Sequence, residues 1–398
     1  MATRRKDHKG RVLNAGESQR KNLTYQYRYT DANGERKTVY AKDLTALRAK
    51  EEEIQKAASR HLSYGRGNVT VLQLLESHIQ FRADDIRYNT LTNMQFVYGA
   101  VQKYDLSKML IRNVKVSHCK ELCRQLQQDG YGFGTIRRVK SVLSVAFKTA
   151  VEDDVLIKNP MDFRLDFLSV QYGTREALLP EEQEKMLDFL KRWDGDPDYL
   201  DEFIIFLGTG LRASEMAGLT FRNVDFEHKT IQVDHQLLRR FDCTLYCEKP
   251  KTEKGNRLIP MSSAVEQSLR NIMARRPKLT VEPLVDGYSG FLFIDKHQHP
   301  KIALHFQAQL RRMVRAYNRQ NPDEPMRNIT PHMLRHTFCT NMINLGMLPK
   351  NVQYVMGHAS VSVTMDIYAH STYQAAQEQM HQLLGERPAE VSPIHAVK

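Results

Sequence analysis

Four separated segments between residues 208 and 370 offer arginine, lysine, histidine and tyrosine in the combination that chemistry on a phosphodiester needs. In Gly208-Thr209-Gly210-Leu211-Arg212-Ala213-Ser214-Glu215 a glycine-rich turn follows an apolar run and puts Arg212 near a helix start. Its guanidinium can clamp two phosphate oxygens while Glu215, one turn on, orients it; a surface ion pair is the plainer use of the same residues. The hairpin Lys249-Pro250-Lys251-Thr252-Glu253-Lys254-Gly255-Asn256-Arg257 projects several cations on a short turn. Such a tip can enter a DNA groove, and a lysine there can protonate a leaving oxygen if neighbouring cations lower its pKa. Many such tips are only soluble turns.

Thr330-Pro331-His332-Met333-Leu334-Arg335-His336-Thr337 reads as a helix capped by Thr330 with proline at its first position. His332 and Arg335, three apart, share a face and can reach one phosphate; a buried histidine beside an exposed arginine is the structural alternative. In the last segment Gly357 ends a helix, His358 sits at the turn, and a further helix from about Ser362 carries Tyr368. A tyrosine on an amphipathic helix is usually core or rim, so Tyr368 gains meaning only from the other segments. Neither Cys119/Cys123 nor Cys243/Cys247 has a nearby His-x-x-x-His partner, which argues against a zinc site.

Taken in order, Gly-Leu-Arg-x-x-Glu, Pro-Lys-Thr, His-x-Leu-Arg, Gly-His and a tyrosine ten residues beyond that histidine resemble the tyrosine recombinase (phage integrase) family. The resemblance implies Tyr368 as nucleophile, Arg212, Lys251, His332, Arg335 and His358 as activating residues, and Glu215 as a supporting acid. Lys249 and Lys254 flank Lys251 on the same tip. The family's chemistry attaches a 3′ phosphate to tyrosine and releases a 5′ hydroxyl. Because the cations do what a metal ion would do, no cofactor is expected. One tyrosine per chain cuts one strand, so exchange between two duplexes calls for a homotetramer on DNA.

The elements that must position these groups fall into three parts. Residues 1–66 hold 16 Lys and Arg against 8 Asp and Glu, a surplus of 8 out of the whole chain's +12, and suit a polyanion. Alternation over Leu23–Tyr29 and Lys37–Ala41 around the turn residues 31–34 predicts a β-hairpin, and Leu44, Leu47 and Ile54 predict a helix covering it. From 67 to 165 the period is helical, with segments near 70–82, 90–104, 117–128 and 135–152. Lys115, Lys120, Arg124, Arg137, Arg138, Lys140 and Lys148 on them suit a DNA backbone, although solvated helix faces explain any one of these charges. Residues 174–385 form the chemistry-bearing part, mainly helical, with strands at Thr230–Asp234 and on both sides of residues 252–256; 386–398 read as a loose tail.

The fold class expected is therefore multidomain: a small α+β module, an all-α domain, and a mainly α catalytic domain with a small antiparallel sheet. This order, with the basic run Gly16-Glu17-Ser18-Gln19-Arg20-Lys21, resembles integrases of conjugative transposons. In those, the first domain binds arm-type DNA sites and the other two clamp the crossover site, which makes Arg20, Lys21, Arg28, Lys115, Arg137, Arg138, Lys140, Lys249 and Lys254 candidate DNA contacts. Excisionase and DNA-bending proteins are expected partners. Tyr373, Ala376, Met380 and Leu383 form a stripe that can dock on a neighbouring subunit or on its own domain. Five cysteines, the charged start Met1-Ala2-Thr3-Arg4-Arg5-Lys6 and the lack of an 18-residue apolar run lead to the expectation of a bacterial cytoplasmic protein without membrane attachment. A type IB topoisomerase-like enzyme and a non-catalytic DNA-binding regulator are the competing readings.

Overall fold

The computed structural model describes residues 5–30, 36–60, 68–168, 177–250, 255–358 and 360. The turn at 31–34, Lys251, Lys254, Tyr368 and the stripe from Tyr373 to Leu383 lie outside the described residues. The chain divides into two compact units, Met1–Gly173 and Thr174–Lys398.

Unit 1 begins with an antiparallel sheet of β1 (Glu17–Gln19), β2 (Tyr25–Thr30) and β3 (Arg36–Ala41), in that order. Its register pairs Glu17 with Tyr27 and Tyr25 with Ala41. The helix α1 (Leu44–Arg60) packs Leu44 and Leu47 with Tyr25, Leu13 and Val39 into a small core. Within the run starting at Gly16, glycine and glutamate are structural. Gly16 has φ +88° and a Cβ there would stand 2.8 Å from the Arg28 carbonyl, and buried Glu17 is paired with Arg48 at 2.9 Å. Arg20, Lys21 and Arg28 are exposed.

Four longer helices follow: α2 (Val71–Arg82), α3 (Tyr88–Val101), α4 (Val116–Gln128) and α5 (Phe133–Glu152). Thr70 starts α2 by accepting the Gln73 amide, while the Gln73 side chain accepts the Thr70 amide, so two otherwise orphaned donors are satisfied. Leu74, Val97, Leu122, Cys123, Val139 and Phe147 are among the side chains that bury the inner faces. Lys115, Arg137, Arg138 and Lys148 are exposed.

Unit 2 is mainly helical: α6 (Pro180–Arg192), α7 (Asp198–Thr209) and α8 (Ala213–Gly218) precede five short strands, and α9 (Ser263–Arg275), α10 (Ala303–Gln320), α11 (Pro331–Asn344) and α12 (Pro349–Met356) follow them. The strands are β4 (Val224–Asp225), β5 (Thr230–Val233), β6 (Gln236–Arg239), β7 (Leu245–Glu248) and β8 (Arg257–Pro260). Where one sheet was expected, there are two pieces, β4-β5-β8 and the hairpin β6-β7. The break falls at Asp234-His235, where the buried His235 ring bonds Asp234 at 2.6 Å and stacks on Tyr288 at 3.8 Å. Phe203, Phe206, Phe293 and Phe306 anchor the core, with Phe206 and Phe293 each meeting Phe306 edge-on at 5.5 Å. Near the end of α6, Trp193 stacks on Phe189 at 5.6 Å and leans on Tyr199 at 5.7 Å.

Candidate active site

α7 stops at Gly210, whose φ of 63° costs glycine little. The reversal sends Leu211 into the core and leaves Arg212 at the cap of α8. Glu215 occupies the first turn of α8 and accepts the Arg212 amide at 2.9 Å, satisfying a helix-start donor. The same carboxylate takes the Arg212 guanidinium at 2.6 Å, so the spacing of three does fix that side chain.

Two further arginines surround Glu215. Arg257, at the start of β8, donates to both of its oxygens at 2.9 and 3.2 Å, to the Gly255 carbonyl at 3.1 Å and to the Val355 carbonyl at 2.6 Å. Arg335 stands 3.8 Å from Glu215 and donates to the carbonyls of Gly210, at 2.7 Å, and Met356. Three guanidiniums around one carboxylate leave a local surplus of two positive charges. Their exposure differs: the side chains of Arg257 and Arg335 are 0% and 3% exposed, whereas Arg212 is 42% exposed and offers the accessible charge.

α11 begins as its sequence requires, with the Thr330 hydroxyl accepting the Met333 amide at 3.2 Å and Pro331 at the first position. One turn then places His332 and Arg335 on a common wall. The burial is the reverse of the structural alternative, since His332 is exposed and Arg335 buried. Both line a cavity of about 320 Å³ with Arg212, Thr330 and the first turn of α10, including Leu304 and Gln307. The His336 ring meets that of His332 edge-on at 4.7 Å.

α12 ends at Gly357 with φ 62°. This turn brings the Met356 carbonyl to Arg335 and the Gly357 carbonyl to Arg212, the latter at 3.4 Å, and so fixes buried His358 beside the arginines. Burial, then Arg335 and Arg212, press the His358 pKa down to about 4, leaving its imidazole neutral near pH 7. Burial and the charge of Arg212 lower Arg335 to about 9, still a cation. Glu215, despite burial that pushes its pKa up, is held well below the usual carboxylate range by Arg257 first and then Arg212 and Arg335. The result is a cationic recess with neutral imidazole nearby, suited to holding a tetrahedral anion and stabilising charge that develops on it.

Of the predicted residues, Arg212, Glu215, His332, Arg335 and His358 come together here. Lys249 is described and exposed. Arg257 was read only as one more cation of the hairpin, yet it is buried at the centre of the network. Strand alternation carries the signal: Arg257 and Ile259 have the same parity and both face inward. Leu304 and Gln307 had no sequence signal, because only tertiary packing brings α10 to the cavity. Among the described residues no three His, Cys, Asp or Glu side chains converge to hold a metal ion, and no helix is long and apolar enough to cross a membrane.

Residues 176–375 match the model of the phage integrase family, and residues 1–58 match that of the DNA binding domain of tn916 integrase. The transposase from transposon Tn916 of Enterococcus faecalis is 37% identical over 404 residues, covering 98% of this chain and 99% of the relative. The transposase from transposon Tn1545 of Streptococcus pneumoniae gives the same figures. Among solved structures, the Tn1549 transposon integrase in complex with transposon right end DNA is 36% identical, with a TM-score of 0.74 over 79% of this chain and all of that one. A lambda integrase dimer bound to a core site, 14% identical with a TM-score of 0.54, shares the fold. A phage integrase family match over the part that holds the arginine network, and relatives 37% identical over nearly the full length, establish that the chain belongs to the phage integrase family of tyrosine site-specific recombinases.

Proposed function

We propose that the chain is the integrase of a conjugative transposon, cutting and rejoining duplex DNA through a 3′-phosphotyrosine on Tyr368. The observation that carries this reading is the convergence of Arg212, His332 and Arg335 on one cavity beside His358, within a chain alike over nearly its full length to transposon transposases. In the proposed step the Tyr368 phenol gives up its proton to solvent as its oxygen bonds to phosphorus, and the 5′ oxygen departs, taking a proton from Lys251. The arginines balance charge on the non-bridging oxygens, and His332 and His358 donate hydrogen bonds to them. The phosphotyrosine ester retains the bond energy, so the 5′ hydroxyl of a second strand can reseal without ATP.

Residues 1–66 would bind arm sites through Arg20, Lys21 and Arg28. Residues 67–165 and 174–385 would clamp the crossover site, through Lys115, Arg137, Arg138 and Lys140 on one side and Lys249 and Lys254 on the other. Four subunits would act together, with excisionase and bending proteins governing direction. The testing experiment is a nicked suicide duplex carrying the crossover site. The wild-type chain should form a covalent protein–DNA adduct on a denaturing gel and Tyr368→Phe should form none; absence of the adduct with the wild type would overturn the reading. A topoisomerase-like enzyme would form the adduct and relax supercoils but would not join two sites.

A further inference from the structure

The helical part of unit 1 carries a second gathering of cations, held by aromatic rings. Phe163 and Phe167 follow α5 in the chain, with ring centres 6.0 Å apart. Lys120 Nζ stands over both rings, 5.8 Å from the centre of Phe163 and 5.4 Å from that of Phe167. Arg124 lies 5.2 Å above Phe167, and Lys140 lies 5.1 Å above Phe163. Lys120 and Arg124 are one turn apart on α4, whereas Lys140 comes from α5, so two helices aim three like charges at one pair of rings. Arg124 also reaches Glu121 at 3.5 Å, with both side chains half exposed, an ion pair that a competing anion can displace.

Like charges brought this close repel, and something must offset that repulsion. A carboxylate could do so, but would cancel the positive charge. An aromatic face attracts a cation through its quadrupole while carrying no net charge. Rings therefore gather cations and restrict long side chains that would otherwise lose freedom on binding, yet leave the full charge available to an anion.

We propose that Phe163 and Phe167 are positioning residues for DNA, holding Lys120, Arg124 and Lys140 as one face that contacts successive phosphates of the duplex. The inference rests on the reading that this part of the chain grips the crossover site. It places the aromatic pair, which never touches DNA in this scheme, upstream of three phosphate contacts.

The test is the salt dependence of full-chain binding to a crossover-site duplex, measured by gel shift for the wild type, F163L/F167L, F163Y/F167Y and K120A/R124A/K140A. Leucine keeps apolar bulk and removes the ring face; tyrosine keeps the face. F163L/F167L should weaken binding about tenfold, as loss of several exposed cation–ring contacts implies. It should also make the slope of log affinity on log salt shallower by about 1 to 2, because fewer phosphates are engaged. F163Y/F167Y should bind within about twofold of the wild type by the same reasoning. A loosened domain would lower the active fraction at unchanged slope, so an unchanged slope for F163L/F167L overturns the proposal, as does equal loss with tyrosine and leucine. If K120A/R124A/K140A binds like the wild type, the face does not meet DNA and the proposal falls, while a wild type that still forms the covalent adduct leaves the recombinase reading standing.

Discussion

Glu215 is the residue on which the site's electrostatics turn. Its carboxylate sits among Arg212, Arg257 and Arg335, and of these Arg257 also donates to the carbonyls of Gly255 and Val355. Arg257→Met leaves Glu215 paired with Arg212 but those buried carbonyls without their donor, and should cost about 2–4 kcal/mol of stability, measured by calorimetry. It should also slow strand cleavage, because Arg257 ties Glu215 to the carbonyls of Gly255 and Val355. Arg257→Lys keeps the charge but not the fork of donors and should recover only part of both. His358 makes a separate prediction about pH. With its folded pKa near 4 against an ordinary 6.5, the unfolded chain holds more protons between those values, so stability should fall as pH drops through that window. Glu215, shifted downward from 4.5, adds its own loss only below about pH 4.5. His358→Asn should flatten the dependence between pH 4.5 and 6.5, and a slope identical to the wild type would assign it elsewhere. The proximity of Arg212, His332, Arg335 and His358 was legible only through the resemblance of their ordered motifs to the tyrosine recombinase family; the cap, the helix face and the glycine turn placed each residue within its own segment and no further. Arg257 was obscured by the cations around it, since burial on a strand is decided by what packs against that strand.

Among the elements, the two left-handed glycine turns do more than end helices. Gly210 and Gly357 present their own carbonyls to Arg335 and Arg212 respectively. At Gly210 a Cβ would lie 2.4 Å from Phe338 and 2.9 Å from Met356 Sδ, and φ is 63°. Gly210→Ala should thus cost roughly 3 kcal/mol from strain and overpacking together, with a matching loss in adduct yield as the Arg335 anchor shifts; a thermal midpoint equal to that of the wild type would contradict this. Helices were the most legible elements. The segments expected near 117–128 and 135–152 appear as α4 and α5 over Val116–Gln128 and Phe133–Glu152, because an apolar stripe of period 3.6 is a strong and redundant signal. The division of the second unit's strands into two sheets was not legible. It depends on a buried histidine, His235, stacking on a tyrosine 53 positions away in the chain, Tyr288.

For the molecule as a whole, a net charge of +12 predicts DNA affinity that falls steeply with salt, with a slope of about 0.9 for each phosphate neutralised. Within that total, Arg20→Ala, Lys21→Ala and Arg28→Ala combined should weaken binding to arm-site duplex in a gel shift while leaving adduct yield on a crossover duplex unchanged; parallel losses on both would deny the two regions separate tasks. Strand joining should also persist in a chelator, since charge stabilisation is assigned to arginines. The order of a basic sheet module, a helical part and a mainly α second unit was readable from changes of period and charge along the chain. The chain's single tryptophan, Trp193, lies in the second unit against Phe189 and Tyr199. Its emission is therefore a built-in optical reporter of that unit alone, whereas circular dichroism at 222 nm sums helices from both. Following the two signals through one denaturation would separate the melting of the second unit from that of the first without attaching any label.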